Sequence, residues 1–146
     1  MRLEFLVEYT ANLKPAQQVG AGPYGNRRII EVTGGSFEGP QLKGEVLPGG
    51  GDWLVVRPDG VIQLDVRATF QTSDGALIYV SYLGLSVSEG SPRAAETDYG
   101  QEYFMTAPRF ETGDERYAWL NRRLFVGEGR RGPGRVSYRV YEVANG

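Results

Sequence analysis

Apolar residues return at every second position along much of this chain, the pattern of strands that bury one face and show the other. Leu3, Phe5, Val7 and Tyr9 open the series, and its cleanest stretch is Ile62, Leu64, Val66, Ala68 and Phe70. After an irregular stretch at Lys14–Gly25, the alternation predicts strands at Arg28–Thr33, Phe37–Val46, Asp52–Arg57, Val61–Gln71 and Ala76–Val87. A second irregular stretch, Ser88–Gly100, precedes Glu102–Phe110, Arg116–Val126 and Arg135–Val143. Pro58-Asp59-Gly60 and Ser73-Asp74-Gly75 supply hairpin turns between neighbours. No segment predicts a helix longer than a turn or two. About nine antiparallel strands this closely connected must pack as a sandwich or close on themselves. A closed barrel leaves no free edge, and one of about this size holds a small ligand. The expected fold is therefore all-β, a closed antiparallel β-barrel of about nine strands, lipocalin- or calycin-like, formed by residues 1–146 as one domain.

Within the central hairpin a polar stripe shares the strand with the apolar one. Gln63, Asp65, Arg67 and Thr69 lie together on one face, opposite Ile62–Phe70. If that face is wet, the pair Asp65–Arg67 contributes little. If it lines a cavity, the pair can grip a ligand, since residues two apart on a strand sit about 6.6 Å from each other. A two-residue Asp74-Gly75 turn sets Arg67 across from Tyr82 and Asp65 across from Gly84. A three-residue turn sets Tyr79 across from Thr69 instead.

Composition narrows the chemistry. The chain has 146 residues with 40% hydrophobic and 23% charged, which is globular, and its 21 glycines and 8 prolines suit short strands and turns. With no Cys and no His, Ser-His-Asp and Cys-His catalysis, thiolate or histidine metal sites and His- or Cys-held haem are all excluded. Acid–base work falls to Asp, Glu, Tyr or Lys with a shifted pKa, and no metal or cofactor is expected. The first residues carry Glu4 and Glu8 and resemble no signal peptide, so a cytoplasmic location is expected, with no membrane partner.

Several local strings dissolve on inspection. Gly20-Ala21-Gly22-Pro23-Tyr24-Gly25 matches the dinucleotide-binding spacing, but a strand rather than a helix follows it, so it reads as a loop. Gly34-Gly35-Ser36 reads as a turn, and no histidine exists to activate its serine. Gly51-Asp52-Trp53 echoes the Gly-x-Trp of lipocalin barrels, whose Trp plugs one end. Tyr117, Trp119, Asn121, Arg123 and Phe125 would share a strand face, a mixture suited to a pocket. Arg116, Arg122, Arg123, Arg130, Arg131, Arg135 and Arg139 crowd the last third, yet the net charge is −2 with pI near 5.2, so a solvated surface is expected and no nucleic acid.

The ordered motifs GNRRIIEVTGGSFEGPQLKGEVLPGGGDW, LDVR, TSDGALIYV, FETGDERYAWLN and RVSYRVYEV resemble the small bacterial and fungal family catalogued as domain of unknown function 3237, over nearly the whole chain. The resemblance implies a compact β-barrel that self-associates, a dimer being the expectation, and implies no settled activity. With a polar barrel interior, Asp52, Asp65, Arg67, Tyr82, Glu111, Trp119 and Asn121 are the candidate lining. Arg67 would hold an anionic or enolate oxygen, Trp119 would stack on a ring, and Asn121 and Tyr82 would donate hydrogen bonds. Glu111, beside Phe110, is the candidate base, because pairing with Arg67 would lower the pKa of the other candidate, Asp65. Two functions follow: a cofactor-independent isomerase, hydratase or ring-opening lyase acting on a small cyclic or aromatic metabolite, or a small-molecule binding protein without catalysis.

Overall fold

The computed structural model describes residues 1–88 and 96–146 and turns the alternating segments into strands of one closed antiparallel sheet. Its long strands are β1 (Arg2–Leu13), β3 (Gly25–Glu38), β6 (Ile62–Thr72), β7 (Leu77–Val87), β8 (Tyr103–Glu111), β9 (Leu124–Gly132) and β10 (Arg135–Ala144). Three short ones complete it: β2 (Gln17–Gly22), β4 (Lys43–Val46) and β5 (Gly51–Val56). The ring runs β1-β10-β9-β8-β7-β6, then passes through β4 and β5, which share the place between β6 and β3, and β3 pairs back with β1. This is a closed barrel with eight positions, and β2 adds to the free side of β3 where that strand leaves β1. Residues 89–95, part of the stretch expected to be irregular, lie outside the described residues.

The predicted strands hold with corrections: Gln17–Gly22, in the stretch expected to be irregular, forms β2, and Phe37–Val46, expected as one strand, divides between the end of β3 and β4. Gly34 and Gly35 lie inside β3, paired with Asn12 and Ala11, and are not a turn. Glycine is needed at 35 because a Cβ there would stand 2.0 Å from the Thr10 carbonyl oxygen. The segment expected to hold one strand at Arg116–Val126 divides into a 3₁₀ helix, Glu115–Arg122, and the start of β9. Asp114 caps that helix by accepting from the Arg116 amide at 2.9 Å. Finally, the β6–β7 turn is the three-residue form, with Gly75 at φ +94°. Thr69 therefore faces Tyr79, Arg67 faces Ser81, Asp65 faces Leu83 and Tyr82 faces Val66.

The apolar face of β6 decides which side is inside. Leu64, Val66, Ala68 and Phe70 are buried in the core, and the Asp65–Arg67 stripe is on the outer wall. Burying four apolar side chains outweighs sheltering one ion pair, whose desolvation offsets its attraction.

The two ends of the barrel are filled differently. At the helix end, Phe37 stacks on Phe70 with centroids 4.6 Å apart, and Phe110 meets Phe125 at 4.9 Å. Leu120 of the 3₁₀ helix is 1% exposed and plugs this end, with Tyr117 and Trp119 packed against the same core. Halfway along, Tyr9, Tyr82 and Tyr138 meet: Tyr9 stacks on Tyr138 at 4.9 Å and Tyr82 stands edge-on to Tyr138 at 5.3 Å. Beyond these rings the interior opens.

Candidate functional site

The open end holds a cavity of about 210 Å³. Leu54, Ile62, Leu64, Val66, Phe104 and Val136 form its apolar wall, and Tyr82 and Tyr138 form its floor. Phe104 fits because β9 carries Gly129 beside it, where a Cβ would come within 2.8 Å of the ring. The polar groups that reach the space are few: Asp52, the floor tyrosines, Ser86, Ser88, Arg131 and Arg135. A mostly apolar concavity with a handful of placed polar groups is the usual form of a small-molecule site.

Asp52 is held by an irregularity in the ladder. Strand β5 pairs with β6 at Gly51, Asp52, Val55 and Val56 but skips Trp53 and Leu54. Into that gap the Asp52 carboxylate reaches, and its Oδ1 accepts from the Asp65 amide at 3.0 Å. Oδ2 makes no hydrogen bond within the described residues. Burial pushes the Asp52 carboxyl up to about 6, and the nearby Asp65 charge adds to the rise while the Asp65 amide opposes it. This is a carboxyl able to take or give a proton near neutral pH.

The three interior tyrosines, the two of the floor and Tyr9, stay protonated. Burial, first of all, raises Tyr9, Tyr82 and Tyr138 well above the ordinary phenol range. Their hydroxyls interact in order, with Tyr82 between Tyr9 and Tyr138. Strand register sets the spacing: Asp52 pairs with Val66, and Val66 with Tyr82, so carboxyl and phenol share one interior row with one residue between them. Across two strand spacings that is about 10 Å between backbones, room for a single ring between the two side chains.

At the rim, Arg131 is tied by a two-pronged ion pair. Its Nε donates to Glu102 Oε1 at 3.0 Å and its Nη2 to Oε2 at 3.0 Å. Thr97 exchanges two further bonds with Arg131, its amide donating to the Arg131 carbonyl and its Oγ1 accepting from the Arg131 amide. Arg135 donates to Glu96 at 2.8 Å. These contacts pin the approach to β8 against β9 and β10 and use rim cations for structure.

Of the residues expected from the sequence, Asp52 and Tyr82 meet in the cavity. The others are corrected. Asp65 and Arg67 belong to the outer wall, where Arg67 lies 5.7 Å over the Trp53 ring. Trp53 is therefore no barrel plug; Leu120 has that position. Glu111 is exposed at the end of β8, on the outer face opposite Tyr79, because Phe110 takes the inward position beside it. Trp119 is on the 3₁₀ helix at the closed end. Asn121 clamps the backbone of Thr112, its Oδ1 accepting from that amide and its Nδ2 donating to that carbonyl, both at 2.9 Å. Tyr9 and Tyr138 were missed; their place in the alternation of β1 and β10 marked them as inward, and only the register shows that they meet.

Among the described residues no group of three or more Asp or Glu side chains is placed to hold a metal ion, and no helix is long and apolar enough to cross a membrane.

Comparison with known proteins gives this geometry a context. The UPF0311 protein RPA1785 of Rhodopseudomonas palustris is 35% identical over 98% of this chain and 97% of its own, and its crystal structure matches with a TM-score of 0.90. A protein of Acinetobacter baumannii described as β-barrel-like is 34% identical, with a TM-score of 0.85 over 98% of this chain and 96% of its own. A hydroalkoxylation enzyme of Penicillium herquei, phnH, is 32% identical over 82% of this chain and 68% of its own. A crystal structure of an enzyme from the same fungus superposes at 27% identity, covering 98% and 94% of the two chains, with a TM-score of 0.71. The family model described as protein of unknown function (DUF3237) matches residues 1–143, and the chain belongs to that family.

Proposed function

We propose that the protein is a cofactor-independent enzyme that moves a proton on a small cyclic metabolite held in the barrel mouth, with Asp52 as the acid–base group. The observation that carries this reading is a carboxyl raised to about 6, with one oxygen fixed by a backbone amide and the other open, in an apolar cavity. An engineered cavity of about 150 Å³ takes benzene, so about 210 Å³ suits one substituted ring. The relation to a hydroalkoxylation enzyme supports redox-neutral addition. In such a step the Asp52 carboxylate takes the proton of a substrate hydroxyl as the hydroxyl oxygen bonds to the far carbon of an alkene conjugated to a carbonyl, whose π pair moves onto the carbonyl oxygen. Asp52 then returns the proton to the carbon beside the carbonyl, so that O–H is added across the double bond with no electron acceptor. In an isomerisation the same carboxylate removes a proton beside a carbonyl and returns it elsewhere. In both, the Tyr82 and Tyr138 hydroxyls stabilise developing negative charge on oxygen.

The test begins with a thermal-shift screen of small phenolic, lactone and keto-acid metabolites, since a ligand that binds the folded state raises its stability. Compounds that bind are incubated with the protein in D2O and followed by proton NMR. Deuterium should enter at carbon, with a rate at pH 6 that falls about a hundredfold or more in Asp52→Asn. Equal rates in that variant remove Asp52 from the chemistry. Binding without exchange in the native protein favours the second function, a non-catalytic carrier, for which the predominance of apolar wall is the supporting observation.

A further inference from the structure

Among the described residues, one arginine on the cavity face of β3, Arg28, makes no ion pair or hydrogen bond. Strand β3 continues past the ring, with Ile30 paired to Asp52, Arg28 to Leu54 and Asn26 to Val56. Directly paired residues share a face. Ile30, Asp52 and Leu54 all line the cavity, so Arg28 and Asn26 stand on the same face, one and two pleats farther out. Arg28 is half-buried. Arg131 and Arg135, by contrast, each hold a glutamate. Arg28 makes no ion pair or hydrogen bond within the described residues, and its Nε and Asn26 Oδ1 are buried side-chain atoms left without a partner. The exposed arginines Arg67, Arg109 and Arg122 also lack ion pairs, but water serves them. Its Nε is withdrawn from water without a partner, a cost that a ligand completing the fork would relieve, while its terminal nitrogens remain open to solvent and so to that ligand.

We infer that the mouth selects a carboxylate-bearing ligand: Arg28 holds the carboxylate at the rim while the apolar part descends past Asp52 to the tyrosine floor. This rests on the cavity being the substrate site and adds the class of substrate. The planar fork of Arg28 matches a carboxylate, and the position two residues along, Asn26, offers an acceptor to a hydroxyl or amine beside that acid. Asp52 gains from the arrangement as well, because the ligand's charge is kept at the guanidinium, one pleat away from the working carboxyl.

The experiment uses trans-cinnamate and its methyl ester, which share a ring and differ in charge, titrated at pH 7.5 and moderate salt by calorimetry. Cinnamate should bind the native protein about tenfold or more tighter than the ester, the usual scale of one charge-assisted contact. In Arg28→Gln that preference should vanish with the ester's affinity kept, and in Arg67→Gln it should persist. Circular dichroism of Arg28→Gln checks that it folds; if it does not, Arg28→Lys serves, with the preference reduced because the fork is lost. Two equal affinities in the native protein, or a preference that survives in Arg28→Gln, overturn the inference while leaving the cavity as the binding site. Failure of both probes to bind at millimolar concentration overturns the inference and the cavity reading together.

Discussion

The two halves of this barrel are built from the same strands and differ in what they do with their interior. Around Phe37, Phe70, Phe110 and Phe125 the inward positions are aromatic on facing strands, the rings interlock, and the 3₁₀ helix caps the end with Leu120. Beyond the tyrosines the same strands carry Leu64, Gly84, Ser86 and Gly129, with smaller side chains or none, and a carboxyl enters where a ladder is broken. The first half supplies stability and the second gives some of it up for an accessible space, the usual relation between a scaffold and a site.

Substitutions on each side sharpen that contrast. Phe70→Ala, in the packed half, should destabilise by about 3–5 kcal/mol in urea unfolding, because a fully buried ring leaves a hole its neighbours cannot close. A cost under about 1 kcal/mol would mean that the packed half is no better filled than the open one. Asp52→Asn should act in the opposite direction. With its folded value near 6 against an ordinary 3.8, the native state binds the extra proton between those values, so stability falls as pH rises through that window. At 1.36 kcal/mol per pH unit the loss reaches about 3 kcal/mol above pH 6. The asparagine keeps an oxygen for the Asp65 amide and has no charge to bury, so thermal unfolding should find the variant more stable than the native protein at pH 8 and equal to it below pH 4. A variant no more stable at pH 8 would place Asp52 in contact with water.

Smaller effects test the cavity itself. Leu54→Phe should fill the mouth, shift stability by less than about 1.5 kcal/mol and abolish ligand-induced thermal shifts, since the added volume enters space that is empty. Smallest of all, Glu111→Gln and Arg67→Gln should each change stability by no more than about 0.5 kcal/mol and leave any turnover intact, because both side chains are exposed on the outer wall. Loss of turnover in either would move the site out of the barrel.

These contrasts also explain how much could be read from the residues alone. The barrel was legible because alternation is a local property. Asp52 was marked by the Gly51-Asp52-Trp53 string, whereas Tyr82 was expected beside Arg67 on the polar face and reaches the cavity on the opposite one, paired with Val66. The length of one turn decided only which β7 residues the Asp65–Arg67 stripe meets, since a single residue at Ser73-Asp74-Gly75 changes the strand partner of each side chain. Simple burial of the apolar face would have placed it correctly; the expectation of a polar interior carried it the wrong way. Trp119 and Asn121 misled for another reason. Eight residues of period two also suit a short tight helix, and the signal that separates them, the cap at Asp114, is a hydrogen bond rather than a hydropathy pattern. Tyr138 and Arg28 could not be found this way, since what distinguishes them is which distant strand lies opposite.

The tyrosine floor has a consequence for how the protein is made. Tyr9 comes from β1 and Tyr138 from β10, the strands that close the ring against each other. During synthesis β1 emerges first and must wait for almost every other strand before its tyrosine finds a partner, so contacts of very long sequence separation complete the site last. A chain released before β10 would carry Asp52 and Tyr82 but lack Val136 of the wall and Tyr138 of the floor, and it would show two exposed strand edges where the barrel should have sealed. Ligand binding thus reports on the finished molecule, and a small molecule that fits the cavity would act on newly made chains as a selective stabiliser of those that closed.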